Sequence, residues 1–261
     1  AYSKRDNQQY KLMIVCTLVV LLLTICALVS SYSRGAWVGA IFALLAMILF
    51  FPYRRYTVVT FTVIVIALLG FLTLNSGILP DHLSNRFVSI QESVMFQDVR
   101  RASVDEGNYS VIERAAHWQA AKYMLDQHPW LGVGIGNYEV VYSQYRLANW
   151  NSSLGHAHNY YLNVAAETGI LGIVSFLAFW MYVFYKIYSV LKNDCYSYKW
   201  IALGLLGVWI HISVHNIVDN LFVNNIHLTI GGLLGVLSIL GLNPIEHKLS
   251  AKNDLHKIMN A

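Results

Sequence analysis

Long apolar runs alternate with short polar segments along this chain, and one polar stretch at residues 75–163 interrupts the alternation. Three apolar runs precede this stretch and three follow it. Because roughly 17–25 apolar residues suffice for a helix that crosses a bilayer, each run predicts a transmembrane helix. The predicted spans are residues 12–29, 36–51, 57–74, 164–185, 200–218 and 226–242. The pattern therefore predicts an all-α integral membrane protein with about six spans.

The basic residues predict the orientation of these spans, because cytoplasmic loops are enriched in Lys and Arg. With a cytoplasmic N-terminus, the inside segments hold Lys4, Arg5, Lys11, Arg54, Arg55, Lys186, Lys192, Lys199 and the lysines of the tail. The short outer turns then hold only Arg34. We therefore predict three spans in residues 1–74, an extracytoplasmic loop at 75–163, three spans in 164–242 and a cytoplasmic tail at 243–261.

The composition supports a membrane protein and argues against other classes. Only 12% of the residues are charged, whereas soluble domains have about 25%. The net charge of +4 comes mainly from residues beside apolar runs, so we expect no nucleic-acid partner. None of the three cysteines lies in the 75–163 loop, which excludes a thiolate metal cluster there. The chain begins with Ala and without signal-peptide features, so we expect it to be the C-terminal part of a longer protein.

The loop at 75–163 is predicted to be partly helical. Ser110 and Glu113 have the spacing of a capping box, which predicts a helix from Ser110 to about Asp126. His156 and His158 flank a single alanine, so on an extended backbone they point in opposite directions and do not share a metal. The glycine-rich segment 131–136 lacks the flanking elements of a nucleotide loop, and we interpret it as a turn that packs closely on its neighbours.

Several side chains could take part in chemistry at the outer membrane surface. Arg34 could reach lipid head groups as a structural residue, or it could bind a phosphate through its planar guanidinium. Arg114 is either a solvated helical arginine or a second anion ligand. His215 and Asp219 are spaced i, i+4 at the outer end of the fifth span, as a functional or a hydrogen-bonded structural pair. The N-terminal amides of the fourth span point towards the histidines and could bind an anion.

A series of short motifs resembles the O-antigen ligase and O-antigen polymerase superfamily over about residues 30–220. The motifs occur in the order found in that superfamily: Ser33-Arg34-Gly35-Ala36-Trp37, Arg86-Phe87, Arg114 with Trp118 and Ala121, Pro129 to Tyr138, His158-Asn159-Tyr160-Tyr161-Leu162, and Glu167 to Gly172. The large outer loop is also similar. The resemblance implies a GT-C-like fold and a metal-independent, inverting membrane glycosyltransferase without a cofactor.

The resemblance also implies the substrates and the site. The donor would be a glycan on undecaprenyl diphosphate, and the acceptor a hydroxyl of a lipid or glycan, at the outer face of the bacterial cytoplasmic membrane. By matching motif, Arg34 and Arg114 would hold the diphosphate and His158 would be the catalytic histidine. Arg86 and His156 match less sharply and are secondary candidates, together with His215 and Asp219.

The residues themselves are compatible with this chemistry. Two fixed arginines can neutralise a departing diphosphate, and a histidine can take the proton from an attacking hydroxyl. Paired carboxylates of the glycosidase type are not evident, which favours transfer over hydrolysis. Tyr142, Tyr145 and Trp150 could stack on sugar rings or anchor the loop at the interface. Two alternatives are an anion transporter of the bicarbonate type, and a non-catalytic subunit for the assembly of envelope polysaccharide.

Overall fold

The computed structural model describes residues 2–50, 99–101, 104, 108–147, 149–192 and 196–241. All regular elements among them are helical, which confirms the all-α prediction for this part of the chain. They are α1 (Tyr2–Ser30), α2 (Arg34–Leu49), the 3-10 turn η1 (Val99–Arg101), α3 (Tyr109–Gln127), α4 (Tyr138–Tyr145), α5 (Tyr160–Lys192), α6 (Tyr196–His215) and α7 (Ile226–Gly241). The predicted third span at 57–74, Arg86 and the tail at 243–261 lie outside the described residues.

Two helices are long and apolar enough to cross a membrane. They are Tyr10–Ser30 within α1 and Tyr160–Lys192, which is α5. The apolar side chains along α1 are largely exposed, as expected of a helix that faces lipid or another helix. Helices α2 and α7 are also apolar but shorter. These helices agree with a membrane protein, while the number of six spans stays a prediction.

The ends of three helices differ from those predicted. Helix α5 extends beyond the predicted 164–185 at both ends, and at Gly169 its backbone leaves the helical conformation, with φ 66° and ψ −166°. Helix α6 ends at His215, three residues before the predicted end of the fifth span. Helix α3 begins at Tyr109 with Asn108 as its N-cap, so the capping box predicted at Ser110 is wrong. The carbonyl oxygen of Asn108 accepts the first hydrogen bonds of this helix, from the backbone amides of Val111 and Ile112.

Glycines allow α2 to lie very close to α6. A Cβ atom added at Gly39 would lie 3.0 Å from the carbonyl oxygen of His211, and one at Gly207 would lie 2.6 Å from the sulfur of Met47. Gly35 is one turn before Gly39 on the same face of α2. Small residues at this spacing are typical of helix contacts in membranes, where close backbone approach replaces the hydrophobic effect. The contact fixes the N-terminal end of α2 beside the C-terminal end of α6.

The apolar core of the bundle is formed by the part of α5 after Gly169 together with α6 and α7; we call these three segments the apolar bundle. Its buried residues are all apolar in this core: Trp180, Val183, Ile187, Val190, Ala202, Leu203, Leu205, Leu206, Trp209, Ile212, Ile230, Leu237 and Leu240. A second core joins α3 and α4 to the start of α5, through Ala120, Ala121, Met124, Tyr138, Tyr142, Ala157 and Ala166. We call residues 108–168 the polar head.

The glycine-rich turn is held against the break in α5, which confirms that it packs closely on its neighbours. Because the helix is interrupted at Gly169, four backbone groups on α5 lack their helical partners. The turn supplies replacements through Val133 N to Ala166 O, Gly134 N to Glu167 O, Ile170 N to Pro129 O, and Leu171 N to Trp130 O. A side chain at Gly132 or Gly169 would collide with backbone atoms of the opposite segment.

Candidate active site

The turn between α1 and α2 brings three helices together through consecutive residues. Ser33 is the N-cap of α2, where its hydroxyl accepts from the amide of Ala36, and it lies 3.3 Å from Nε2 of His215 on α6. Gly35 leaves space for the same imidazole, because a Cβ there would lie 2.5 Å from Cδ2 of His215. Arg34, between them, donates from Nη2 to the hydroxyl of Ser110 on α3 at 3.2 Å.

Arg114 lies on the same face of α3 as Ser110, one turn further along. Both arginines therefore lie at the start of α3, Arg34 through its hydrogen bond to Ser110 and Arg114 as a residue of the helix itself. Arg114 is partly buried and makes no hydrogen bond or ion pair with another described residue. Its charge acts on the adjacent loop, where it contributes to lowering the pKa of both Asp219 and His156. The geometry leaves its planar fork available to an anion.

The loop that carries His156 and His158 is fixed by side chains from two helices. Trp118 of α3 donates through Nε1 to the carbonyl of His158 at 3.1 Å. Asn163 of α5 accepts from the amide of Ala157 at 3.0 Å. His158 itself has a left-handed backbone, with φ 52°. Such a conformation is uncommon for a non-glycine residue and persists where the surroundings enforce it.

This backbone overturns the predicted arrangement of the two histidines. The prediction of opposite directions assumed an extended chain, and it is wrong because His158 is left-handed. Both rings turn to the same side, with centroids 4.4 Å apart, and the amide of His158 donates to Nδ1 of His156 at 3.1 Å. Burial, the neighbouring His158 and Arg114 lower the pKa of His156, and Asp219 acts against this shift. His156 is thus favoured in its neutral form.

Asp219 faces His158 from the turn that follows α6. Its Oδ1 lies 3.6 Å from Nδ1 of His158 and accepts from the amide of Asn220 at 2.8 Å. Burial raises the pKa of Asp219, but the His158 imidazole, the Asn220 amide and the charge of Arg114 outweigh burial and lower it to about 2. The predicted i, i+4 helical pair of His215 with Asp219 is wrong, because α6 ends at His215.

The N-terminus of α5 is less open to an anion than predicted. The amide of Tyr160 donates to the carbonyl groups of Asn216 and Asp219 at 2.9 and 3.1 Å. The amide of Leu162 donates to Oδ1 of Asn159, which caps the helix at 3.0 Å. These bonds join the histidine loop to the end of α6, so they contribute to the assembly of the site rather than to ligand binding.

His156, His158 and Asp219 also form a possible metal site. One candidate ligand atom from each lies within 4.8 Å of the others. Two imidazoles and a carboxylate are a donor set that suits Zn²⁺. However, metal binding through either nitrogen of His156 would cost the hydrogen bond that its Nδ1 accepts from His158.

His117 is a buried member of the cluster for which no role was predicted, although it follows Arg114 by three residues on one helical face. Its ring meets that of His158 edge-on at 5.5 Å, stacks on Tyr142 at 4.9 Å, and places Nδ1 3.0 Å from the hydroxyl of Tyr138. Burial, with the neighbouring His158 and His156, lowers the pKa of His117 to about 4. At physiological pH its imidazole is therefore uncharged, and it packs against the ring of His158.

The imidazole of His158 lies opposite Asp219, at a separation longer than a hydrogen bond. Neither Nδ1 nor Nε2 has a hydrogen-bond partner among the described residues, and both atoms are buried. The structure thus brings together Arg34, Arg114, His156, His158, His215 and Asp219 at one place between α2, α3, α5 and α6. Arg86 is the one sequence candidate outside the described residues.

The family model that matches this chain is described as O-antigen ligase, and the match covers residues 19–177. This is more than half of the 261 residues. It contains Arg34, Arg114, His156 and His158, and it ends before His215 and Asp219. No curated protein matches the chain.

Proposed function

The chain belongs to the O-antigen ligase family, and on that premise we propose that it transfers a glycan from undecaprenyl diphosphate to an acceptor hydroxyl. The reaction would occur at the outer face of the bacterial cytoplasmic membrane, with inversion at the anomeric carbon and without a metal ion. In this topology, six spans anchor the chain and the loop at 75–163 is extracytoplasmic. The acceptor is the hydroxyl of a lipid or of a second glycan.

One observation supports this proposal above the others. Arg34, bonded to the first turn of α3, and Arg114, on the same helix, belong to the cluster that contains His158, whose ring nitrogens are buried and have no hydrogen-bond partner among the described residues. The arginines suit the two phosphates of the donor, since each can present parallel N–H groups to phosphate oxygens. The imidazole suits a hydroxyl that must lose a proton. Each chemical requirement of the transfer thus has a group in place.

In the proposed step, His158 accepts the proton of the acceptor hydroxyl through Nε2, because Nδ1 faces Asp219. The acceptor oxygen forms a bond to the anomeric carbon on the face opposite the diphosphate. The bond from that carbon to the diphosphate oxygen breaks, and its electron pair leaves with undecaprenyl diphosphate. Arg34 and Arg114 stabilise the charge that develops on this leaving group, which therefore needs no general acid.

The remaining polar residues have supporting roles in this proposal. Asp219 is ionised at neutral pH and stabilises the imidazolium that forms at His158. His215 contacts Ser33 and so fixes the turn that presents Arg34. Nδ1 of His156 accepts a hydrogen bond from the backbone amide of His158 and so maintains the left-handed backbone of His158. Arg86 remains a secondary candidate for donor binding.

The direct test is an assay of the full-length protein with an undecaprenyl-diphosphate glycan and an acceptor. We expect His158→Ala to reduce transfer by about 10²–10⁴-fold and to leave unreacted lipid-linked donor, as expected for loss of a general base. His128→Ala is the matched control, because His128 is an exposed histidine of the same loop that contacts Tyr145. Normal transfer by His158→Ala would reject the proposed base and favour a non-catalytic assembly subunit.

A further inference from the structure

A cavity lies at the edge of the polar head, beside the start of α3. Its volume is about 420 Å³, which is within the range of roughly 300–1,000 Å³ typical of small-ligand sites. It lies between η1, the first turn of α3 and the segment that follows α4. Three aliphatic side chains line it together with Arg100, Tyr109, Asn149 and Trp150. The mechanism proposed above does not use this cavity.

Two aromatic rings form part of the lining. The rings of Tyr109 and Trp150 lie 5.2 Å apart at an angle of 50°. Trp150 is buried, with 9% of its surface exposed, whereas Tyr109 is 48% exposed. Tyr109 is therefore the ring with a surface available to a ligand, and Trp150 holds it in place. Such a surface offers a flat apolar contact beside polar groups.

The polar part of the lining comes from Arg100 and Asn149. A carboxamide both donates and accepts hydrogen bonds, and a guanidinium donates several in one plane. The backbone of Asn149 is left-handed, with φ 79°. A pyranose ring has the complementary surface, because its axial C–H groups form an apolar face and its hydroxyl groups surround the rim. A lipid chain would leave the carboxamide of Asn149 without a hydrogen bond from the ligand, at an energetic cost.

The cavity adjoins the proposed diphosphate site through the start of α3. Tyr109 precedes Ser110, which accepts the hydrogen bond from Arg34. The hydroxyl of Tyr109 also donates to Glu113 at 3.4 Å, and Glu113 precedes Arg114. The cavity and the proposed diphosphate site therefore both involve the first turns of α3.

We infer that this cavity binds one pyranose unit of a glycan substrate, with the ring of Tyr109 against its C–H face and Asn149 bonded to its hydroxyl groups. The inference rests on the proposed function for the source of the sugar, which is either the donor glycan or the acceptor glycan. It adds a sugar subsite to a mechanism that otherwise involves only the phosphates and the reacting hydroxyl.

A binding experiment tests the subsite without catalysis. The full-length protein in lipid nanodiscs is mixed with maltose, lactose or N-acetyllactosamine, and saturation transfer from protein to sugar is recorded by NMR. We expect transfer to at least one of these sugars, loss of the signal in Tyr109→Ala and its retention in Tyr109→Phe. Trp130→Ala is the control, since Trp130 is a 65% exposed aromatic of the same loop outside the cavity. Absence of transfer to all three sugars, or an unchanged signal in Tyr109→Ala, would overturn the inference.

Asn149 allows a test of the polar contact without strain. Asn149→Gly removes the carboxamide and keeps a backbone that suits φ 79°. We expect weaker saturation transfer in Asn149→Gly than in the wild type, with an unchanged melting temperature. Equal transfer would show that the amide does not contact the sugar and would contradict the proposed arrangement.

Steady-state kinetics then identify the source of the sugar. We expect Tyr109→Ala to raise one KM by about tenfold, which corresponds to about 1.4 kcal/mol, and to change kcat little. A higher KM for the acceptor assigns the cavity to the acceptor glycan, and a higher KM for the donor assigns it to the donor. Unchanged KM values for both would reject the subsite. Failure of the proposed base is a separate result, because the sugar-binding assay can be repeated in His158→Ala.

Discussion

The polar head and the apolar bundle share one helix, α5, and use it in different ways. Before Gly169, α5 packs through Asn163 and Ala166 against a loop and helices that contain buried polar groups, including His117. After Gly169, it packs through Trp180 and Val183 in a core of apolar side chains. The first packing depends on hydrogen bonds with defined partners, and the second on shape and area. The head should therefore be far less tolerant of small changes than the bundle.

Glycine substitutions test this difference most strongly. Gly169→Ala adds a Cβ that meets the backbone of Trp130, at a backbone conformation reserved for glycine. We expect it to lower the free energy of unfolding by roughly 3 kcal/mol or more. Gly204→Ala in α6 is the matched control, because nothing lies within 4 Å of its added Cβ. We expect this variant to be unchanged or more stable by roughly 0.5–1 kcal/mol.

The measurement is denaturant unfolding of both variants in the same detergent. Equal stability of the two variants would show that the head tolerates backbone changes as well as the bundle does, and would remove the contrast between them.

Arg114→Lys should produce the next largest effect, and on activity rather than stability. Lysine keeps the charge but cannot present two parallel N–H groups to a phosphate. We expect kcat/KM to fall by roughly 10–100-fold, equivalent to about 1.4–2.7 kcal/mol of transition-state binding. Arg146→Lys, at an exposed arginine after α4, should retain wild-type activity in the same assay. Wild-type turnover of Arg114→Lys would indicate a solvated arginine without a ligand.

The pH dependence of stability should reveal the buried imidazole of the head. The pKa of His117 is about 4 in the folded protein and near 6.5 when unfolded, so the unfolded state binds more protons between these values. Stability should therefore decrease as the pH falls from 6.5 to 4, by about 3 kcal/mol in total. His117→Gln removes the titrating group and should flatten this part of the curve. The measurement is the melting temperature of both proteins across this pH range. The same slope of melting temperature against pH in His117→Gln and in the wild type would contradict the prediction.

Chelation of metal ions should have the smallest effect. The proposed transfer uses arginines in place of a cation, so we expect EDTA to change the initial rate by less than about twofold. Loss of activity with EDTA, restored by Zn²⁺, would instead assign His156, His158 and Asp219 to a metal site.

Much of the helical structure is predictable from the sequence, because long apolar runs determine where helices cross apolar surroundings. The approximate positions of α1, α2, α6 and α7 follow from this pattern alone. The residues that gather at the site, Arg34, Arg114 and His158, were identified through short motifs and their order. Their roles stay predictions, as do the domain boundaries.

The details that build the site were not predictable, because they depend on contacts between distant segments. His158 is left-handed because Trp118 and Asn163, from two different helices, fix the backbone around it. Ser110 fits a capping box by spacing, yet its hydroxyl is used by Arg34. Asp219 has helical spacing from His215, but α6 ends before it and the carboxylate turns to His158. Local patterns carry no information about such partners.

The exchange of hydrogen bonds at Gly169 has a consequence for biosynthesis. The turn at 129–134 is translated about 35 residues before its partners at 166–171. During translation, the amides and carbonyls of this turn therefore have no hydrogen-bond partners on α5 until the first part of α5 has left the ribosome and lies beside the turn. Completion of the loop that carries His156 and His158 is thereby coupled to synthesis of α5, so a chain released before α5 is synthesised cannot form the candidate site.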